Sequence, residues 1–151
     1  MDVITHYDLL VDKTNDPFRD SPMMQEYMNQ WDGQVFLEAL KLSQNKNVLE
    51  IGIGTGRIAG KVAPYCMRLL GIDISPKTIE RAKENLKEYS NISFVCDDFS
   101  NYNFQENFDV IYSSLTMMHF ENKKQVIFKV VSLLKANGIF CLSIDKNQSE
   151  Y

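Results

Sequence analysis

From residue 47 onward, short apolar runs alternate with segments whose apolar residues recur every three or four positions. The short runs are bounded by glycine or polar residues and predict buried β-strands over 48–51, 68–73, 92–96, 108–113 and 139–144. The periodic segments predict amphipathic helices over 57–65, 76–89 and 121–135. Strands that alternate with helices indicate an α/β fold with a parallel sheet covered on both faces.

The chain before the first predicted strand has a different pattern. The segment 16–22 contains two prolines and predicts turns, and its final Ser-Pro pair can cap and open a helix that runs to about residue 31. A second short helix is predicted over 35–42. We therefore divide the chain into a helical N-terminal segment, residues 1–45, and an α/β core, residues 46–151.

The composition limits the classes of partner. The chain has 151 residues, with 16 Lys plus Arg against 20 Asp plus Glu, which gives a net charge of −4. A negative net charge disfavours binding to nucleic acid or to anionic lipid. No window approaches the ~20 apolar residues that a membrane span requires. We therefore expect a protein that binds a small-molecule substrate and neither nucleic acid nor membrane.

The three cysteines indicate a reducing compartment. Cys66, Cys96 and Cys141 are odd in number, and no two of them are close enough to form a CxxC pair. The first residues are acidic where a signal peptide would be basic. We therefore expect a cytoplasmic protein. The two histidines, His6 and His119, lack ligand spacing to any cysteine, so no metal site is predicted.

Three glycines at alternate positions form a loop between the first predicted strand and the next helix. Gly52, Gly54 and Gly56 allow a sharp turn and let a ligand approach the backbone beside the partly positive end of a helix. The dinucleotide fingerprint G-x-G-x-x-G requires a small residue where Arg57 stands, and an arginine obstructs the close packing of helix on strand. The loop therefore departs from a typical NAD-binding loop.

Carboxylates follow the second and third predicted strands. Asp73 lies 17 residues after Gly56, at a strand end where a carboxylate can accept hydrogen bonds from both hydroxyls of a ribose. Its charge would repel a 2′-phosphate, which disfavours NADP. Asp97 and Asp98 end the third strand, where open sheets bind ligands. These acids are candidate ligand-binding residues, with turn, capping or solvated carboxylates as the alternative.

An acidic residue before the glycine loop completes a four-position pattern. The pattern reads Glu50-x-Gly52-x-Gly54-x-Gly56. It resembles the class I S-adenosylmethionine-dependent methyltransferases, and segments 108–120 and 133–138 are similar to two later motifs of that family. The resemblance covers residues 45–145. It implies a Rossmann-like doubly wound parallel sheet in the order 3-2-1-4-5, S-adenosylmethionine as cofactor, S-adenosylhomocysteine as product, and methyl transfer to an acceptor. The negative net charge favours a small-molecule acceptor over nucleic acid.

The resemblance also implies which residues hold the cofactor. The methionine end would lie against the acid and glycines of the loop and against the end of the fourth strand. Asp73 would hold the ribose. Asp98 would accept the adenine amino group, with Asp97 as the alternative acid. The residues implied to contact the cofactor are Glu50, Gly52, Gly54, Gly56, Asp73, Ile74, Asp97, Asp98, Phe99, Ser113, Tyr7 and Arg19.

The same resemblance implies a role for the N-terminal helices. In the family such helices often form a lid over the cofactor, and an early tyrosine can meet the cofactor carboxylate. Tyr7 matches that tyrosine, and Arg19 is the alternative partner by charge. His119 is the candidate general base because the unperturbed pKa of histidine lies near ~6.5, with a packed or capping histidine as the alternative.

The sequence departs from the family at its C-terminal end. The family's sheet has seven strands, and the last two form a hairpin beside the fifth. This sequence ends after its fifth predicted strand, so we expect a C-terminally truncated core that keeps the cofactor half of the site. The fifth strand would then be an apolar edge, which we expect a second copy or another partner to cover.

Two other functions stay open at this point. A non-catalytic protein that binds the cofactor or assembles with a partner is compatible with the missing late strands. An NAD-dependent oxidoreductase is disfavoured by Arg57 and by the long segment before the first strand. We therefore predict a methyltransferase and keep these two as alternatives.

Overall fold

A single five-stranded sheet organises the computed structural model, which describes residues 2–145. The strands are β1 (Asn47–Ile51), β2 (Arg68–Asp73), β3 (Ile92–Cys96), β4 (Phe108–Ser114) and β5 (Leu134–Ser143). All four neighbouring pairs are parallel, and the spatial order is β3-β2-β1-β4-β5. The predicted doubly wound α/β fold and its strand order are therefore confirmed.

Several of the helices begin at a side-chain cap. The α-helices are α1 (Val3–Asp12), α2 (Pro22–Asp32), α3 (Gln34–Ala39), α4 (Ala59–Val62), α5 (Pro76–Asn85) and α6 (Lys123–Leu133). Ser21 and Ser75 accept backbone hydrogen bonds at the starts of α2 and α5, each followed by proline at the first helical position. No helix in residues 2–145 is long and apolar enough to cross a membrane.

Both faces of the sheet are buried, as expected for parallel strands. Successive residues of β1 point to opposite sides. Val48 packs in a core with Leu40 and Val62, and Leu49 packs in a second core with Phe108 and Val130. The two apolar layers hold the carboxyl ends of the strands in place.

The N-terminal segment contains one more helix than predicted. None of the residues of α1 is buried, so the hydrophobic pattern carries little signal for this helix. Asp2 caps it by accepting a hydrogen bond from the Thr5 amide at 3.0 Å. The chain then passes through a one-turn 3₁₀ helix, Pro17–Arg19, before α2 and α3 follow in the predicted positions.

Two core elements differ in extent from the prediction. The helix predicted over 57–65 is reduced to α4 and a 3₁₀ turn, Ala63–Tyr65, because Pro64 has no amide hydrogen to continue the helix. Strand β5 begins directly after α6, five residues earlier than predicted. A register irregularity between Phe108 and Val110 of β4 accommodates that early start.

Candidate functional site

A cavity of about 650 Å³ opens where strands β1 to β4 end. Open parallel sheets bind ligands at this edge, next to the point where the strand order reverses. The predicted site residues that line the cavity are Tyr7, Glu50, Gly52, Gly54, Asp73, Ile74, Asp97, Asp98, Phe99 and His119. The fold therefore brings together residues from five separate parts of the chain.

The glycine loop forms the floor of the cavity with three left-handed residues. Gly52, Gly54 and Gly56 have φ angles of 76°, 57° and 98°. A Cβ atom at Gly54 would meet nothing within 4 Å, so the loop leaves open space above its middle peptide. A Cβ atom at Gly56 would lie 2.5 Å from Leu86 Cδ1, so this glycine shapes the loop from behind.

Alanine at two loop positions separates backbone strain from crowding. Gly54→Ala adds only the strain of a positive φ and is expected to cost about 1 kcal/mol of folding free energy. Gly56→Ala adds a collision with Leu86 and is expected to cost about 2 kcal/mol in total. Urea unfolding of both variants measures the difference. Equal losses at the two positions would mean that Leu86 moves aside.

Asp73 connects the end of β2 to the glycine loop. Its Oδ2 accepts a hydrogen bond from the Gly54 amide at 2.9 Å, and its Oδ1 accepts one from the Ser75 amide at 3.1 Å. Burial raises the pKa of this carboxyl, and these backbone hydrogen bonds oppose the shift. Each carboxylate oxygen has a second lone-pair site, so Asp73 keeps acceptor capacity toward the cavity.

Glu50 is the most deeply buried of the acids that line the cavity. The hydroxyl of Tyr112 donates to its Oε2 at 2.7 Å, and both side chains are enclosed. Burial raises the pKa of Glu50 well above its ordinary value, although the Tyr112 hydrogen bond opposes the shift. Burial therefore disfavours the ionised form of this carboxyl, and a cationic group in the cavity would favour it.

The predicted adenine end lies at the rim of the cavity. Asp97 is exposed and Asp98 is half-buried, with its Oδ1 accepting from the Ser100 amide at 2.8 Å. Phe99 is buried in the second core, and its carbonyl accepts from Lys129 Nζ at 2.6 Å. The buried Phe99 ring therefore fixes the backbone that carries Asp97 and Asp98.

Tyr7 and His119 meet across the cavity from opposite ends of the chain. Tyr7 belongs to α1, and His119 belongs to a 3₁₀ turn, Met117–His119, that follows β4. A hydrogen bond of 2.6 Å joins the Tyr7 hydroxyl to His119 Nε2. Burial and then His6 lower the pKa of His119, whereas Asp73 opposes that shift. Burial and the charge of Asp73 raise the pKa of Tyr7.

Three predicted residues lie outside the cavity lining. Arg19 is exposed, and its Nε donates to Asn85 Oδ1 at 3.0 Å. Ser113 is buried, and its hydroxyl donates to the Ile51 carbonyl at 3.0 Å between β4 and β1. Gly56 supports the loop without lining the cavity. The structure therefore gives these residues packing or hydrogen-bonding contacts beside the cavity.

A buried ion pair at the cavity wall has no counterpart in the predicted site. Arg57, which lines the cavity, pairs with Asp32 at the end of α2. The Ser114 hydroxyl donates to the same Asp32 Oδ2 at 2.6 Å and lies 2.7 Å from the Ser143 hydroxyl. In the sequence, Arg57 served only as evidence against an NAD-binding loop. No local pattern indicates that Asp32 is its partner.

Comparison with protein families identifies the core. Residues 48–138 match the model of the family described as "Methyltransferase domain". This chain belongs to that family. The match includes the glycine loop and every carboxylate of the cavity that was predicted to hold the cofactor, so the predicted family is confirmed.

Related proteins share this methyltransferase domain. The chain is 34% identical to "Nodulation protein S" of Sinorhizobium fredii over 115 residues, which are 72% of this chain and 53% of that protein. It is 29% identical to "Malonyl-[acyl-carrier protein] O-methyltransferase 1" of Ilyobacter polytropus over 120 residues, which are 78% of this chain and 44% of that protein. The chain therefore spans about half the length of the curated relatives it matches.

A solved structure supports the same relationship. The N-methyltransferase NodS from Bradyrhizobium japonicum WM9, in complex with S-adenosyl-l-homocysteine, superimposes with a TM-score of 0.65 at 30% identity. The superposition covers 78% of this chain and 60% of that one. The methyltransferase domain thus has the fold of a protein solved with the predicted product in place.

Proposed function

We propose that the protein is an S-adenosylmethionine-dependent methyltransferase with a small-molecule acceptor. The observation that carries this proposal is the cavity, in which the glycine loop, the Asp73 carboxylate and the Asp97–Phe99 segment converge. The residues fit the cofactor, because Gly54 leaves open space above the loop and Asp73 has spare acceptor capacity. When bound, the cofactor supplies a methyl group already activated on sulfonium sulfur.

The chain's own residues position the reactants. Glu50 and the loop amides hold the methionine end, Asp73 holds the ribose, and Asp98 or Asp97 holds the adenine edge. Because the methyl group is already activated, the protein contributes mainly orientation and proximity, which lower a barrier by several kcal/mol. A buried Glu50 suits a cationic ligand, since the ligand charge stabilises the ionised carboxylate.

We propose that His119 accepts a proton from the molecule that receives the methyl group. It lines the cavity, and its lowered pKa keeps the imidazole neutral at pH 7. Tyr7, within 2.6 Å of Nε2, orients the ring and is the proposed partner for the cofactor carboxylate when the cofactor binds. A neutral base removes the proton from an ammonium or hydroxyl group before or during methyl transfer.

The ionisation of His119 can be tested without an acceptor. We expect its pKa to lie below the ordinary value of ~6.5. The neutral form then persists as the pH falls below that value, and protonation occurs only in more acidic solution. Asp73→Asn removes a charge that favours the imidazolium and should lower the pKa further. NMR titration measures the pKa of His119 in both proteins, and the His119 signal is identified by its absence in His119→Gln. A pKa above ~6.5 would contradict the proposed role of His119 as a neutral base.

The acceptor belongs to one of the classes that the relatives suggest. NodS is described as an N-methyltransferase, and the Ilyobacter protein is described as an O-methyltransferase. We propose an acceptor with an amine or oxygen nucleophile. The net charge of −4 supports a small molecule over nucleic acid.

Location and assembly are part of the same proposal. Cys66, Cys96 and Cys141 are all free, which supports the reducing environment of the cytoplasm. Strand β5 is an edge of the described sheet, and apolar edge strands associate readily. We therefore propose that a second copy or another partner covers β5. Size-exclusion chromatography with light scattering tests for the dimer.

Calorimetric titration with S-adenosylhomocysteine, with NAD as the control ligand, tests the proposed function. We expect micromolar binding to the first ligand and none to the second. Binding to NAD alone would overturn the proposal in favour of an oxidoreductase. Binding to S-adenosylhomocysteine without product formation on any of a panel of amines, alcohols and carboxylates would favour the non-catalytic alternative.

A further inference from the structure

Asn85, the last residue of α5, joins three separate segments behind the glycine loop. It is buried, and its Nδ2 donates to the Thr55 carbonyl at 3.0 Å and to both oxygens of Asp16 at 3.2 Å. Its Oδ1 accepts from Arg19 Nε at 3.0 Å. One amide side chain therefore connects the N-terminal segment, the loop and α5, and both its donor and its acceptor atoms are engaged.

Thr55 is the loop residue on which these contacts converge. It is buried between Gly54 and Gly56, the two glycines with positive φ on either side of it. Its carbonyl accepts from Asn85, while its hydroxyl accepts from the Phe18 amide at 3.3 Å. The middle of the loop is therefore held through the backbone and the side chain of the same residue.

Asp16 gives the network its charge. Its side chain is 6% exposed and lies 3.2 Å from Arg81 Nη1 and 3.6 Å from Arg19 Nε. Burial alone would raise the pKa of Asp16, but hydrogen bonds from Thr55, Asn85 and Arg81 lower it below the ordinary value. Asn85 therefore donates to an ionised acceptor, which strengthens the hydrogen bond.

A flexible loop of three glycines gains most from such external support. Glycines on both sides of Thr55 allow the unbound backbone several conformations, and a ligand that binds only one of them has its apparent affinity reduced in proportion to the fraction of molecules in that conformation. A side chain that holds the Thr55 peptide restricts the loop before the ligand arrives. Preorganisation of this kind increases affinity without any direct contact to the ligand.

We propose that Asn85, acting with Asp16, is a positioning residue for the cofactor. It holds the Thr55 peptide so that the loop keeps the conformation that accepts the methionine end of the cofactor. The role rests on the proposed function, because it requires that S-adenosylmethionine binds over this loop. By this proposal, the part of the N-terminal segment around Asp16 also supports the binding site.

The test compares two asparagines that make similar hydrogen bonds in different places. Asn91 Nδ2 donates to the carbonyls of Ala63 and Cys66 at 2.8 and 3.2 Å, away from the loop. We expect Asn85→Ala to weaken S-adenosylhomocysteine binding about tenfold or more, the loss expected for a buried hydrogen-bonded group. Asn91→Ala should bind S-adenosylhomocysteine as wild type does. Calorimetry gives the dissociation constants, and circular dichroism checks that each variant is folded.

Adenosine distinguishes positioning from general destabilisation. It lacks the methionine end, so Asn85→Ala should reduce adenosine affinity by a much smaller factor than S-adenosylhomocysteine affinity. Equal losses for both ligands, or an unchanged affinity for S-adenosylhomocysteine, would overturn the inference. Should Asn85→Ala not fold, Asp16→Asn is measured instead, with the same expected selectivity. Failure of the wild-type chain to bind S-adenosylhomocysteine would overturn the proposed function itself, and this inference with it.

Discussion

Replacement of Asp73 by alanine is expected to weaken S-adenosylhomocysteine binding roughly hundredfold or more. The carboxylate is proposed to accept both ribose hydroxyls, and hydrogen bonds to a charged group contribute about 1.5–3 kcal/mol each. The alanine variant also loses the hydrogen bonds from the Gly54 and Ser75 amides, so the loop keeps only its backbone hydrogen bonds to Ile72 of β2. Calorimetric titration of the variant measures the affinity.

Two further variants separate the effects of Asp73. Asp73→Asn keeps one oxygen as an acceptor and loses the charge, so an intermediate loss is expected. Asp109→Ala removes a carboxylate that accepts from the Asn47 amide at 2.8 Å and from Lys135 Nζ at 3.2 Å, at the other end of the sheet. Its affinity should equal that of wild type. If Asp73→Ala bound as tightly as wild type, the ribose assignment would be wrong.

Replacement of Asp32 by alanine is expected to cost about 3–5 kcal/mol of folding free energy. Asp32 is fully buried, and it neutralises the guanidinium of Arg57, whose side chain is 9% exposed. The variant leaves that charge buried without its partner, and it removes the acceptor of the Ser114 hydroxyl. The free energy of unfolding of a small domain is about 5–15 kcal/mol, so this loss is a large share of the total stability. Urea unfolding measures the loss.

The controls for Asp32 use an exposed pair and a double substitution. Asp12 pairs with Lys77 on the surface, with both side chains about half exposed, and Asp12→Ala should cost less than about 1 kcal/mol. Asp32→Leu combined with Arg57→Met removes both charges and should recover part of the stability lost in Asp32→Ala. A loss in Asp32→Ala no greater than that in Asp12→Ala would show that water reaches Arg57.

Most of the candidate cofactor site could be predicted because its residues belong to local patterns. Glu50 and the loop glycines are contiguous with a buried strand, and Asp73 stands at the end of the next strand. The apolar runs determine where parallel strands end, and their carboxyl ends meet at one edge of the sheet. The lining of the cavity by these residues follows from that arrangement.

The contacts of the N-terminal segment could not be predicted in this way. Arg19 was predicted to meet a carboxylate of the cofactor by charge alone, but in the fold it contacts Asn85 and Asp16. Helix α1 buries none of its residues, so its pattern gives little indication of which surface it covers. The charge of a side chain indicates what type of group it can contact. Which residue it contacts depends on the segments that pack beside it.

The sequence by itself determined the strands, the glycine loop and the carboxylates at the strand ends, because buried strands and tight turns impose strong local constraints on residue type. The strand order was implied by the resemblance to the methyltransferase family. Only the tertiary structure decided that Tyr7 meets His119, that Asp32 neutralises Arg57 and that Asn85 holds Thr55. These partners lie 112, 25 and 30 positions apart along the chain. Polar contacts over such separations depend on how the apolar layers pack the segments together, and no periodicity in the sequence indicates them.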